Sequence, residues 1–184
     1  EPFKMSKRKG TFVLLSDVAK AINIDELKLF MLSKSPDTQM TFDLVKVKEK
    51  SKDNLVYYIQ YAYARANSVL RNFKAKFGKD YVFNSADLEG LMENCHKQIK
   101  EIVVFMAKYP SVILSSAEKH APNMIVDYLK ELASLFHSLW STDIKLVDAE
   151  NEEKTKSMMA FVTCVKDVMA NALACISINA PEKM

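Results

Sequence analysis

Residues 4 to 10 read Lys-Met-Ser-Lys-Arg-Lys-Gly, a run with the parts needed to handle a polyphosphate. Lys4 and Lys7 stand three apart and place two ammonium groups on one loop. Ser6 adds a hydroxyl, Arg8 and Lys9 extend the positive field, and Gly10 leaves the backbone free to close. A reaction that expels pyrophosphate builds negative charge on phosphate oxygens in its transition state. A loop that swings cations over those oxygens stabilises that charge more than it stabilises the ground state, which is the differential binding catalysis requires. Chemistry alone leaves a plainer alternative open, because a lysine-rich stretch also serves as a solvated tail.

A second set of residues suits a different task. Spacing successive positions of a helix over about Asp53 to Phe77 by about 100° puts Asn54, Tyr58, Tyr61, Arg65, Ser68 and Asn72 on one stripe. Unpaired nucleic-acid bases splay onto aromatic rings, each stack being worth ~1 to 3 kcal/mol, so ring faces beside a guanidinium fit a single-stranded partner. The same tyrosines would equally fill a seam between helices. Trp140 closes a later amphipathic pattern, as a core residue or as a stacking platform. The run Arg65, Arg71, Lys74, Lys76 and Lys79 is either a phosphate-facing patch or a solvated helix face.

These residues need long helices to position them, and the composition supplies them. Three glycines and five prolines in 184 residues leave few tight turns, and an apolar fraction of 49% is enough for a core. Thr11 to Leu15 is the best strand candidate, Ser16 is placed to cap a short helix reaching Ile22, and Asp25 opens another that Pro36 and Asp37 terminate. On the helix from Asp53, the face bearing Val56, Ile59, Ala62, Tyr63, Ala66, Val69, Leu70 and Phe73 is core. Further helices are expected over Ser85 to Lys108 with a break near Gly90, from Pro110, from Pro122 through Trp140, and from Glu152 to Ile176. The expectation is a mainly α fold, a helical bundle with a small N-terminal mixed segment, divided into residues 1–38 and 39–184.

Charge excludes a simple electrostatic argument. Lys4, Lys7, Arg8 and Lys9 against Glu1 account for the whole formal charge of +3, leaving 22 basic and 22 acidic residues in positions 11–184. Cys95, Cys164 and Cys175 are odd in number without CxxC spacing, which fits a reducing cytoplasm. His96, His120 and His137 lie too far apart for a recognisable metal motif. No apolar run approaches the ~18 residues of a membrane span, and no signal peptide is evident. The ten methionines fall mostly at core positions of helices.

Several segments carry a family resemblance. KMSKRKGTFVLLSDVAK from Lys4, FMLSKSPDTQMTFD from Phe30, DNLVYYIQYAYARANSVLRN from Asp53 and the terminal ANALACISINAPEKM resemble arginyl-tRNA synthetases, class I ligases that attach arginine to tRNA(Arg) using ATP. The resemblance implies a C-terminal fragment, comprising the signature loop, a connecting segment and a helical anticodon-binding domain. Lys4, Met5, Ser6 and Lys7 match the ATP-binding loop, with Lys4 and Lys7 catalytic. Tyr58, Tyr61 and Arg65 match residues used near the anticodon loop, Trp140 an aromatic at a helix end, and Met184 a terminus that packs at the anticodon site. Leu55 departs from a frequent Pro and Tyr63 from a frequent His; Tyr63 lies on the apolar face, so a packing change is expected. ATP with Mg2+ is implied for the parent enzyme and no cofactor for the fragment, which is expected to be inactive alone. The implied partners are the anticodon stem-loop of tRNA(Arg) and an N-terminal catalytic domain of the same polypeptide, in a cytoplasmic monomer that meets no membrane. A helical scaffold for a protein partner, and the same region of a cysteinyl-type synthetase, are the alternatives.

Overall fold

The computed structural model describes residues 14–39, 54–93 and 96–184. The basic run from Lys4 to Gly10 and the first three residues of the expected strand lie outside the described residues. All regular structure among the described residues is helical. The elements are α1 (Leu15–Ala21), α2 (Ile24–Leu32), α3 (Leu55–Phe77), α4 (Ala86–Glu93), α5 (Lys97–Met106), α6 (Tyr109–Glu118), α7 (Asn123–Ser138) running into a 3-10 turn (Leu139–Ser141), and α8 (Glu152–Cys175).

Local chemistry explains most of the boundaries. Asn23, rather than Asp25, caps α2: its side chain accepts from the Asp25 amide at 2.9 Å while Glu26 reaches back to the Asn23 amide at 3.2 Å, a reciprocal capping box. Asn54 does the same work for α3, accepting from the amides of Val56 at 3.0 Å and Tyr57 at 3.3 Å. It is therefore a buried cap and not a member of the polar stripe. Leu55 consequently occupies the first helical position, where a proline is well tolerated, so the departure from the family pattern is mild. Gly78, at φ 70°, closes α3 in the left-handed conformation.

Three expectations need correction. Leu15 belongs to α1, so no strand runs through it, and Ser16 lies inside the first turn because Leu14 takes the cap position. The break expected near Gly90 in the span from Ser85 to Lys108 is present but falls after Glu93, where His96 adopts extended backbone ahead of α5; Gly90 itself lies within α4. The helix expected to reach Trp140 tightens to 3-10 geometry after Ser138.

The centre of the bundle is α3, α7 and α8. α3 packs on both α7 and α8, α4 lies along α8, α5 and α6 cover α7, and α2 rests on α3 and α7. Phe73 from α3, Ile99 and Ile102 from α5, Leu132 and Phe136 from α7, and Met159, Phe161 and Met169 from α8 are fully buried, each such side chain contributing about 1.5–3 kcal/mol of transfer free energy. Tyr63 is buried among them, as its position on the apolar face requires. α8 is long and apolar enough by composition to cross a membrane, contrary to the expectation that no run would approach that length. Half of its apolar window is buried in the bundle, as a core helix demands.

The chain after α8 folds back as a strap. Asp25, only 3% exposed, accepts from the Asn179 amide at 3.2 Å, the Asn179 side chain at 2.9 Å and Gln60 at 3.4 Å. Lys28 Nζ donates to the Ser177 carbonyl at 2.9 Å. These bonds tie α2 to the strap across α3, and Leu29 of α2 joins the main core, while Ile22 and Leu27 form a smaller cluster with Val18 and Phe30.

Candidate nucleic-acid interface

With its apolar face committed to the core, α3 turns Tyr61, Arg65, Ser68 and Asn72 outward along one ridge, each three or four residues from the next. The 3-10 turn after α7 brings Trp140 opposite this ridge, and the strap brings Lys183 and Met184 to its far side. Together they enclose a groove of about 450 Å³.

Arg65 is the centre of the groove. Its Cζ lies 3.9 Å from the centroid of the Trp140 ring and 5.3 Å from that of Tyr61, a guanidinium held over two aromatic faces. Nη1 lies 3.1 Å from Nδ1 of His137, and Nε2 of the same imidazole lies 3.2 Å from the Tyr58 carbonyl. The His137 ring packs on Tyr58 at 4.7 Å and stacks on Tyr61 at 5.6 Å, while Tyr57 stacks on Tyr61 at 5.8 Å. Phe136 supports Trp140 edge-on at 5.1 Å. Despite this backing, Tyr61 and Trp140 each keep 39% of their surface open to solvent, which leaves aromatic area unspent on the core.

The basic run sorts into separate roles. Arg71 Nη1 donates to the Glu182 carbonyl at 2.9 Å and so pins the strap beside the groove. Lys74 pairs with Asp80 at 2.9 Å and Lys79 with Glu152 at 2.8 Å, both of them solvent-screened surface pairs. The hydrogen bond from Lys79, with that from Lys156, holds the Glu152 carboxyl below its ordinary range. Only Arg65 of the five enters the groove's aromatic cluster, so the run is not one continuous patch.

Of the residues expected to bind nucleic acid, Tyr61, Arg65, Trp140 and Met184 converge on the groove. Tyr58 stands one turn behind it and contributes its ring and carbonyl to His137. Lys4, Met5, Ser6 and Lys7 lie outside the described residues. Two contributors were not foreseen. Lys183 follows only from the path of the strap, but His137 was visible in principle, since it precedes Trp140 by three and therefore shares its side of α7. Among the described residues no three His, Cys, Asp or Glu side chains converge as a metal site. Burial raises the Cys164 thiol above its usual range, and Cys175 is exposed beside the Tyr109 hydroxyl at 3.8 Å.

Comparison with known proteins adds a family context. Residues 59–184 match the profile described as the DALR anticodon binding domain. The arginine–tRNA ligase of a Methylobacterium species is 38% identical over 193 aligned residues, covering 100% of this chain and 32% of that protein. The arginine–tRNA ligase of Oceanobacillus iheyensis is 36% identical over 185, with coverage of 100% and 32%. The chain thus spans about a third of the length of these curated relatives. A Campylobacter jejuni structure assigned as an arginyl-tRNA synthetase superposes with a TM-score of 0.74 at 30% identity, over 100% of this chain and 38% of that one. Thermus thermophilus arginyl-tRNA synthetase gives 0.72 at 18% identity over 97% and 29%, a likeness of fold.

Proposed function

The chain belongs to the DALR anticodon-binding domain family, and from that premise we propose that it is the tRNA-binding part of an arginine–tRNA ligase, receiving the anticodon loop of tRNA(Arg) in the groove between α3, the Trp140 turn and the strap. The observation that carries the reading is the Arg65 guanidinium held between two half-open aromatic rings. An unpaired base that enters the groove meets ring faces for stacking. Arg65, Asn72 and Ser68 offer donors and acceptors for its edge, and Arg71 and Lys183 add positive charge for the backbone.

The catalytic half of the reaction is proposed from the signature alone. In the intact ligase Lys4 and Lys7, with Met5 and Ser6, meet the phosphates of ATP, whose Mg2+ shares the charge; the present chain is proposed to be inactive by itself. The reading places the enzyme in the cytoplasm as a monomer.

Trp140 is the single tryptophan of the chain and reports directly on the groove. Titration with an anticodon stem-loop of tRNA(Arg) is expected to quench its fluorescence, with an affinity that falls steeply as salt rises. Tyr61→Ala and Arg65→Ala should each weaken binding roughly tenfold or more, the loss expected for one base contact. Unchanged affinity in both variants would refute the groove reading, and arginine-dependent ATP turnover by this chain would refute the inactivity.

A further inference from the structure

Asp25, Lys28, Gln60 and Arg71 hold the strap after α8, and each of them bonds to its main chain. A grip on the main chain fixes where the strap runs and leaves its side chains for other work. The turn that launches the strap needs such help. Ser177 sits at φ 55°, left-handed backbone that favours glycine. The Ala174 and Leu173 carbonyls take the amides of Ser177 and Ile178 at 3.0 Å each, Ile178 is buried, and Lys28 Nζ donates to the Ser177 carbonyl at 2.9 Å. Lys28 therefore acts where the direction of the strap is set.

Little slack remains beyond that turn. From the Asn179 carbonyl to the Glu182 carbonyl the strap spans at most about 10–11 Å of extended chain. Gln60 and Arg71, which donate to those two carbonyls, stand about 16 Å apart along α3. Their side chains make up the difference, so a shift at one anchor is passed to the other. Asp25 holds the near end through Oδ2 alone, its Oδ1 being buried without a hydrogen-bond partner among the described residues. Lys183 and Met184 follow directly on the Glu182 anchor and line the groove, whereas Asp25 and Lys28 do not.

We propose that Asp25 and Lys28 are positioning residues for RNA recognition: from α2, outside the groove, they set the reach of the strap so that Lys183 and Met184 meet the RNA. The proposal rests on the groove being the RNA site. It requires that α2 affect binding only through the strap tip, and a double-mutant cycle measures that dependence.

Titration with the anticodon stem-loop of tRNA(Arg) at fixed salt supplies the cycle. Removing Lys183 and Met184 should weaken binding roughly tenfold, the loss of about one contact. Lys28→Met keeps the aliphatic stem without the ammonium, and Asp25→Asn keeps one acceptor without the charge; each should weaken binding roughly threefold or more in the full chain. Lys28→Arg still donates to the Ser177 carbonyl and should stay within about twofold of the parent. In the chain lacking Lys183 and Met184, Lys28→Met and Asp25→Asn should change affinity by less than about twofold. Equal losses with and without the tip would overturn the proposal, because a direct contact to RNA or a general loosening of the fold acts in both chains. Unchanged affinity for both variants in the full chain would overturn it as well.

A measurement without RNA separates this proposal from the reading it rests on. The Met184 side chain lines the groove with the Tyr61 and Trp140 rings, so its methyl NMR signal should move in Lys28→Met and hold its place in Lys28→Arg. A methyl signal that Lys28→Met leaves in place would refute the positioning role. If Tyr61→Ala and Arg65→Ala leave RNA binding intact, the groove reading fails, and the methyl signal still decides whether α2 places the strap. If those variants lose binding while Lys28→Met moves neither binding nor methyl, the reading stands and the positioning role fails.

Discussion

Replacing Asp25 by alanine removes the knot that joins α2, α3 and the strap. Its Oδ2 receives two hydrogen bonds from Asn179, at 3.2 and 2.9 Å, and a longer one from Gln60 at 3.4 Å. Gln60 keeps its bond to the Asn179 carbonyl at 3.0 Å, so the stranded donors are chiefly those of Asn179. A hydrogen bond to a charged acceptor is worth about 1.5–3 kcal/mol, and the two are not additive, which points to a loss of about 2–4 kcal/mol. For a chain of this size that is a fall in Tm of roughly 5–15 °C. Asp25→Asn retains one acceptor oxygen and should lose about half as much, on the same bond energies. Urea denaturation followed by helical circular dichroism gives the stability, and hydrogen exchange of the Asn179 amide reports the knot itself. A loss below about 0.5 kcal/mol for the alanine variant, with that amide still protected, would refute the assignment.

Other substitutions test the frame. Gly78→Ala meets no atom within 4 Å, so its cost should be the left-handed backbone alone, about 1 kcal/mol by chemical denaturation. Leu132→Ala, at a position with no exposed surface in the centre of α7, should cost about 2–5 kcal/mol on the same measurement. Burial pushes the Tyr109 and Tyr128 hydroxyls up to about 12, with the Cys175 hydrogen bond adding to Tyr109. The folded values exceed the unfolded value near 10, so this stability is complete below about pH 10 and is lost as pH rises toward about 12. Tyr128→Phe should flatten that decline in alkaline denaturation.

The helical core was readable because its signal is periodic and its ends carry chemistry. The faces of α3, α7 and α8 follow from apolar spacing, and the expected end at Phe77 and start from Pro122 are kept within a residue or so. The break expected near Gly90 comes a few residues later, because a glycine costs a helix only about 1 kcal/mol and does not by itself end one that lies along α8. At the groove, the Tyr61 and Arg65 stripe was legible from spacing. The meeting of that stripe with Trp140 and Met184 was legible only through resemblance, since it depends on distant contacts that leave no local pattern. Arg71 holding the Glu182 carbonyl is such a contact, because any residue at position 182 would supply that oxygen.

Because α3 carries the core on one side and the groove on the other, both are cut from a single register. Inserting one residue between Ile59 and Tyr61 would rotate everything beyond it by about 100°, carrying Arg65 away from Trp140 and the apolar ridge out of the bundle together. The groove therefore cannot drift independently of the fold. Among descendants of this sequence, length changes should collect in the connections between helices, and α3 should tolerate substitution while refusing insertion.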